Sequence, residues 1–261
     1  MPRSQWMRAV CWGAWSALAL LLGIAGTAQA DGYAPKAAYV APANWSGLYA
    51  GVNAGWMWSD FDWAFNPAIG GAAHQAYSMS TDNFYMGVHG GFQHQFGAIV
   101  VGVEGSYQIG RGDWARETGF GNNPCCDSLV RMRHLITVGP RLGFAQSNWM
   151  VYATGGWAFA DIESKGLTVP GGASFFPARA DHNGWFIGGG VEMLVGKNTF
   201  IGLEYKHISM ETERHCAGPP IGTCLGAGGA FVDRDVSADS DVVTARLSYK
   251  WDRDERVVPL K

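Results

Sequence analysis

Charge is scarce in this chain. Only 16% of its 261 residues are Asp, Glu, Lys or Arg, and the formal net charge is −3. That balance provides no basic footprint and argues against a nucleic-acid partner. Cysteine is sparse as well, at five residues with no CxxC spacing, so a thiolate zinc site is not expected. Long apolar runs are missing except for one, Ala9 to Ala25, which carries Leu18, Leu20, Leu21 and Leu22. It follows Arg3 and Arg8 and leads into Ala28-Gln29-Ala30, the layout of a secretory signal peptide cleaved after Ala30 rather than a retained membrane helix. Cys11 leaves with it and lies too far from the cleavage point to be a lipoprotein cysteine. The expected organisation is a signal peptide over 1–30, an Ala/Pro-rich periplasmic linker over 31–44 with Pro35 and Pro42, one domain over 45–251, and a polar tail over 252–261.

What the chain has in abundance is glycine, 37 residues, and tryptophan, 12 residues, arranged with a period of two. Ile99, Val101, Val103, Tyr107 and Ile109 share one parity, and Gly102, Glu104, Ser106 and Gln108 share the other. Only a strand separates its faces this way. The same alternation predicts eight strands, at 48–58, 84–96, 98–110, 129–145, 149–161, 183–195, 199–212 and 241–251. Connections after the second, fourth and sixth are tight, at Gly97, Gln146-Ser147-Asn148 and Gly196-Lys197-Asn198. Those after the first, third, fifth and seventh are long and hold Pro67, Gly70-Gly71, Asn122-Asn123-Pro124, Pro170-Gly171-Gly172 and Pro219-Pro220. Short turns on one side and long loops on the other predict an all-β, eight-stranded antiparallel up-and-down transmembrane β-barrel. Strands of about ten residues also suit a tilted bilayer crossing.

Which face meets lipid follows from what each parity holds. One parity carries Gly51, Gly55, Gly87, Gly91, Gly102, Gly139, Gly143, Gly188, Gly190 and Gly202, small enough for the crowded interior of a narrow barrel. It also carries charges of both signs: Glu104, Arg131, Arg133, Arg141, Glu192, Glu204, Lys206, Arg246 and Lys250. The apolar parity places Trp56, Trp58, Tyr107, Trp157, Phe159 and Trp185 toward the long-loop end and Phe96, Phe144, Tyr249 and Trp251 toward the short-turn end. Two aromatic girdles bounding an apolar band are expected where amphipathic rings settle at the headgroups. The apolar face is therefore read as outward.

Asn44-Trp45-Ser46-Gly47-Leu48-Tyr49-Ala50-Gly51-Val52-Asn53-Ala54-Gly55-Trp56 resembles the first strand of the small porin-like, immunogenic outer-membrane proteins of alpha-proteobacteria. Val101-Gly102-Val103-Glu104-Gly105 resembles their third strand, and the chain's last strand ends in Leu247-Ser248-Tyr249-Lys250-Trp251. The resemblance implies an OmpA-like barrel of the Gram-negative outer membrane, exposed at the surface and inserted by the barrel-assembly machinery. It also implies an assembly signal in the last strand, for which Thr244, Tyr249 and Trp251 fit, although Arg246 stands where glycine is usual. The chain runs past the last aromatic to Lys261, unlike most of the family.

The interior charges are expected to form a buried ion-pair network that plugs the barrel, with a narrow ion or solute path as the alternative. Cys125 and Cys126 in the second long loop, and Cys216 and Cys224 in the fourth, share the extracellular side and read as disulfides. The expectation is two bridges between the loops; Cys216 with Cys224 is the alternative. Of the histidines, His74, His182 and His215 fall in loops and His89, His94, His134 and His207 in strands, and none forms a motif. Some members of the family bind haemin, so a loop receptor for haemin or a host ligand is a further alternative. His207 and Ser209 share a parity that could meet lipid, but their spacing is unremarkable, and no catalytic residue, cofactor or metal is expected. The reading is a structural, monomeric barrel with outer-membrane lipid and the barrel-assembly machinery as its partners, supporting the envelope and displaying four extracellular loops.

Overall fold

The computed structural model describes residues 44–65, 76–110, 112–120, 123–218, 224 and 233–251. The expected signal peptide, nearly all of the linker, the tail after Trp251 and His74 lie outside the described residues. Nine strands are described: β1 Gly47–Phe65, β2 Ala76–Phe96, β3 Ile99–Gly110, β4 Ala115–Phe120, β5 Asn123–Gln146, β6 Trp149–Thr168, β7 Ser174–Leu194, β8 Thr199–His215 and β9 Arg234–Trp251. Among the described residues there is no helix.

All pairings are antiparallel, and they close a ring of eight strands. β1 pairs with β2 and β9, β2 with β3, β3 with β5, and β5 through β9 pair in sequence. β4 lies beside the long-loop part of β5 and continues the course of β3, with Ala115 opposite Val130. The ring removes every open edge that lipid would leave without hydrogen bonds. Its tight turns need backbone with positive φ, which Gly97 (φ 63°) and Ser147 (φ 53°) supply.

The strands run further than their apolar alternation suggests. β5 spans 24 residues and β2 spans 21, about twice the length a bilayer crossing needs. The added lengths lie on the long-loop side, so the loops are shorter than expected; β6 and β7, for example, are joined by residues 169–173 alone. The reason is visible along β1. From Leu48 to Trp58 the outward side chains are apolar, but beyond Trp58 the outward residues are Asp60 and Asp62, while Phe61 and Trp63 are fully buried inside. The pleat continues, and the solvent outside changes.

The interior is consequently filled in three tiers. At the short-turn end, Trp45, Tyr49, Val100, Ala145, Met150, Tyr152 and Phe200 form one apolar cluster. Trp45 precedes β1 and tucks beneath it, its backbone N–H donating to Gln95 Oε1 at 2.8 Å while Gln93 Nε2 donates to its carbonyl at 2.8 Å. The fold-back turns at Gly47, whose φ of 138° and approach to Trp251 O leave no room for a Cβ. At the long-loop end a larger cluster gathers Met57, Phe61, Trp63, Met79, Tyr85, Met132, Leu135, Ile162, Phe186, Ile208, Met210 and Val236 with smaller neighbours. Each large side chain buried there contributes about 1.5–3 kcal/mol. Between the two lies a tier of charge.

Candidate functional site: the ion-paired barrel interior

The middle tier draws on every strand of the ring. Glu104 comes from β3, Arg141 from β5, Glu192 from β7, Glu204 and Lys206 from β8 and Arg246 from β9. Tyr49 of β1, Tyr152 of β6 and His89 of β2 complete it, and all of these side chains are buried. Alternation delivers them: each sits on the inward parity, beside glycines that leave the space. A Cβ on Gly91 would lie 2.7 Å from the Tyr49 hydroxyl, and one on Gly190 would lie 2.7 Å from that of Tyr152.

Two arginines organise the tier. Arg141 pairs with Glu192 and, through Nη1, with Glu104 Oε2 at 3.2 Å. Arg246 pairs with Glu204, reaches Glu104 Oε1 at 2.9 Å, and places Nε 3.5 Å from Glu192 Oε1. Lys206 Nζ lies 2.9 Å from Glu204 Oε1. Three carboxylates thus face three cations, so the cluster is neutral. The tyrosines stitch it: Tyr49 OH donates to Glu104 Oε2 at 2.8 Å and Tyr152 OH to Glu204 Oε2 at 2.9 Å. The Arg141 guanidinium stacks 3.7 Å over the Tyr152 ring. His89 Nε2 and Ser248 Oγ are 2.7 Å apart on the adjoining wall.

Three of the nine charges expected in the ion-pair network take other places. A bulge in β5 between Met132 and His134 changes the facing of the strand above it. Arg131 consequently joins Glu163, at 2.8 Å, and the Trp114 ring, at 4.2 Å, on the long-loop extension rather than the central tier. Arg133 is the extra residue of that bulge, half-buried and outside the tier's ion pairs. Lys250 is buried but sits at the short-turn end, where Nζ donates to the Asn44 carbonyl.

The expected girdle residues Trp56, Trp58, Tyr107, Trp157, Phe159, Trp185, Phe96, Phe144, Tyr249 and Trp251 are all exposed on the outer face. Trp149 and Tyr205 also stand there and were missed, because the first opens its strand and the second falls between charged neighbours Glu204 and Lys206. In the last strand Thr244 points inward while Tyr249 and Trp251 meet edge to face at 5.5 Å on the outside. Arg246, at the position where the resemblance implies a glycine, is the residue that contacts all three carboxylates of the tier.

The cysteines correct another expectation. Cys216 is bonded to Cys224, so neither is available for a bridge to the second loop. Cys125 and Cys126 belong to β5 rather than to a loop. His207 Nδ1 lies 2.9 Å from Asp241 Oδ1, which also accepts from Tyr205 OH at 2.7 Å. Among the described residues no group of three or more His, Cys, Asp or Glu side chains is placed to hold a metal.

A closed ring of antiparallel strands with an apolar outer band and a charged interior is the arrangement of an outer-membrane barrel. The sequence matches the family described as outer membrane protein beta-barrel domain over residues 16–250. The chain belongs to that family. It is 28% identical to the 31 kDa outer-membrane immunogenic protein of Brucella melitensis over 188 residues, covering 68% of this chain and 76% of the relative. The match to the protein of the same description in Brucella suis has the same identity and coverage. Among solved structures, the outer membrane protein OprG from Pseudomonas aeruginosa shares the fold, with a TM-score of 0.51 at 11% identity, over 80% of this chain and 98% of that one. The protein is thus a β-barrel of the Gram-negative outer membrane, and its relatives are outer-membrane barrel proteins.

Proposed function

We propose that this barrel is structural, without enzymatic activity and closed to solutes, supporting the envelope and displaying its extracellular strand ends and loops. The observation that carries the reading is the central tier, to which all eight ring strands contribute between two apolar clusters. A permeating ion would have to part Arg141 or Arg246 from its carboxylates. Opening one buried pair without compensation costs about 3–5 kcal/mol, which slows passage by roughly a hundred- to several-thousand-fold. The outer band and its girdles fit lipid as the surrounding partner, and Thr244, Tyr249 and Trp251 fit recognition by the barrel-assembly machinery as a monomer.

Single-channel recording in planar bilayers tests this. The refolded full chain is expected to insert without steady conductance steps. Stable openings that change when Arg141 or Arg246 is replaced by methionine would instead make it a narrow porin.

A further inference from the structure

A second buried polar cluster lies above the membrane band, away from the central tier. Ser164 of β6, His182 of β7, His215 of β8 and Arg234 of β9 are all at most 2% exposed. His182 Nδ1 is 3.0 Å from the Glu211 carbonyl, and its Nε2 is 2.9 Å from His215 Nε2. His215 Nδ1 is 2.7 Å from Ser164 Oγ, which accepts from Arg234 Nε at 2.9 Å. Arg234 Nη2 further donates to the carbonyls of Ser164, at 2.7 Å, and Phe176, at 2.8 Å. His215 reaches this interior because a bulge between Met210 and Glu213 turns the end of β8.

The positions of the protons follow from the partners. A carbonyl only accepts, so His182 must donate through Nδ1, and in a neutral ring its Nε2 then accepts. His215 must therefore donate through Nε2 and accept at Nδ1 from the Ser164 hydroxyl. With both imidazoles neutral the chain runs one way, from Arg234 to Ser164 to His215 to His182 to the Glu211 carbonyl. One added proton turns at least the Ser164–His215 bond around, takes its acceptor from the Ser164 hydroxyl hydrogen, and places a second cation in the same cluster as Arg234. Two added protons set N–H against N–H at 2.9 Å.

We propose that this histidine pair is an acid-released latch on the extracellular ends of β6 to β9: neutral, it ties four strands together; protonated, it forces them apart. Burial holds the His182 ring below its usual range and takes His215 down to about 3, with His182 and Arg234 acting on His215 in the same direction. Opposing this at His182 are its hydrogen bond to the Glu211 carbonyl and the charges of Glu213, Asp181 and Asp161. Asp161 is itself paired with Arg179, and Asp233 sits beside Arg234. Both histidines have lowered values in the closed state, so the latch is intact above the ordinary histidine value and weakens as pH falls below it. Between about 6.5 and 3, protonation of His215 favours opening by about tenfold per pH unit, and His182 acts in the same direction.

The test uses the full chain refolded in detergent with ring-labelled histidines, followed by NMR from about pH 7.5 to about pH 4.5. At the upper pH, His182 is expected as the Nδ1–H tautomer and His215 as the Nε2–H tautomer. On acidification both should gain charge together with a loss of amide protection, relative to the intrinsic exchange rate at each pH, over 211–217 and 233–238, and not over 200–206. The non-titrating pair His182→Asn with His215→Gln should abolish the acid-dependent part of that loss. Either histidine titrating near its ordinary value with protection unchanged, or the variant opening with the wild-type pH profile, overturns the latch. If the variant does not fold, the wild-type tautomers and titration still decide.

Discussion

Along β1, Leu48, Val52, Trp56 and Trp58 face outward and Tyr49 and Asn53 are buried; a few residues further, Asp60 and Asp62 face outward and Phe61 and Trp63 are buried. β9 makes the same change, from outward Leu247 and Val243 to outward Asp241, Asp239 and Asp235, with Val236 and Ala238 inside. One ring of strands therefore has two opposite sections. In the membrane band the outside is apolar and the centre is ionic, because lipid accepts no charge and the interior must neutralise its own. In the extension the outside meets water and the inside becomes an ordinary hydrophobic core. Side-chain parity specifies the faces, but the surroundings decide which face is apolar.

The largest expected effects come from breaking the centre of each section. Arg246→Met leaves Glu104 and Glu204 without their shared partner and should cost about 3–5 kcal/mol in detergent unfolding followed by the folded-to-unfolded gel shift. Phe61→Ala empties part of the extension's core and should cost a similar 3–5 kcal/mol or so by the same measurement. The two differ in rescue: replacing the opposing carboxylates with neutral, well-packed side chains should restore much of the loss at Arg246 and none at Phe61.

A single substitution sharpens the contrast on the outer face. Val52→Arg, in the band, should destabilise the inserted barrel by about 2–4 kcal/mol. Ser237→Arg occupies the same outward parity in the extension and should stay within about 0.5 kcal/mol. Equal losses at both positions would show that the two outsides do not differ. The smallest effect is expected at Arg214–Asp235, an ion pair with its guanidinium half exposed. Asp235→Asn should change unfolding by no more than about 1 kcal/mol.

The same contrast explains what was legible in the sequence. Alternation identified the band portions of all eight ring strands, because outward Val, Ile, Leu and Trp alternate with inward Gly and charge. It lost the extension at Asp60-Phe61-Asp62-Trp63, where the apolar residues change parity and the regular pattern ends although the strand does not. Six charges of the central tier were legible from parity alone. Arg131 and Arg133 were not, because a one-residue bulge shifts parity without any marker such as glycine or proline at that point. His215 was hidden by the same device in β8, and it had been read as part of a loop. The pairing of Cys216 with Cys224 depends on how the chain returns beyond β8, which strand periodicity does not encode.

Spin labels placed one at a time at Val52, Ala54, Trp56, Trp58, Asp60 and Asp62 of the barrel in liposomes test the two-section account most directly. Collision with oxygen should dominate through Trp56, pass through a boundary at Trp58, and give way to collision with a water-soluble nickel chelate at Asp60 and Asp62. Nickel access at Val52 and Ala54, or oxygen dominance continuing to Asp62, would contradict it.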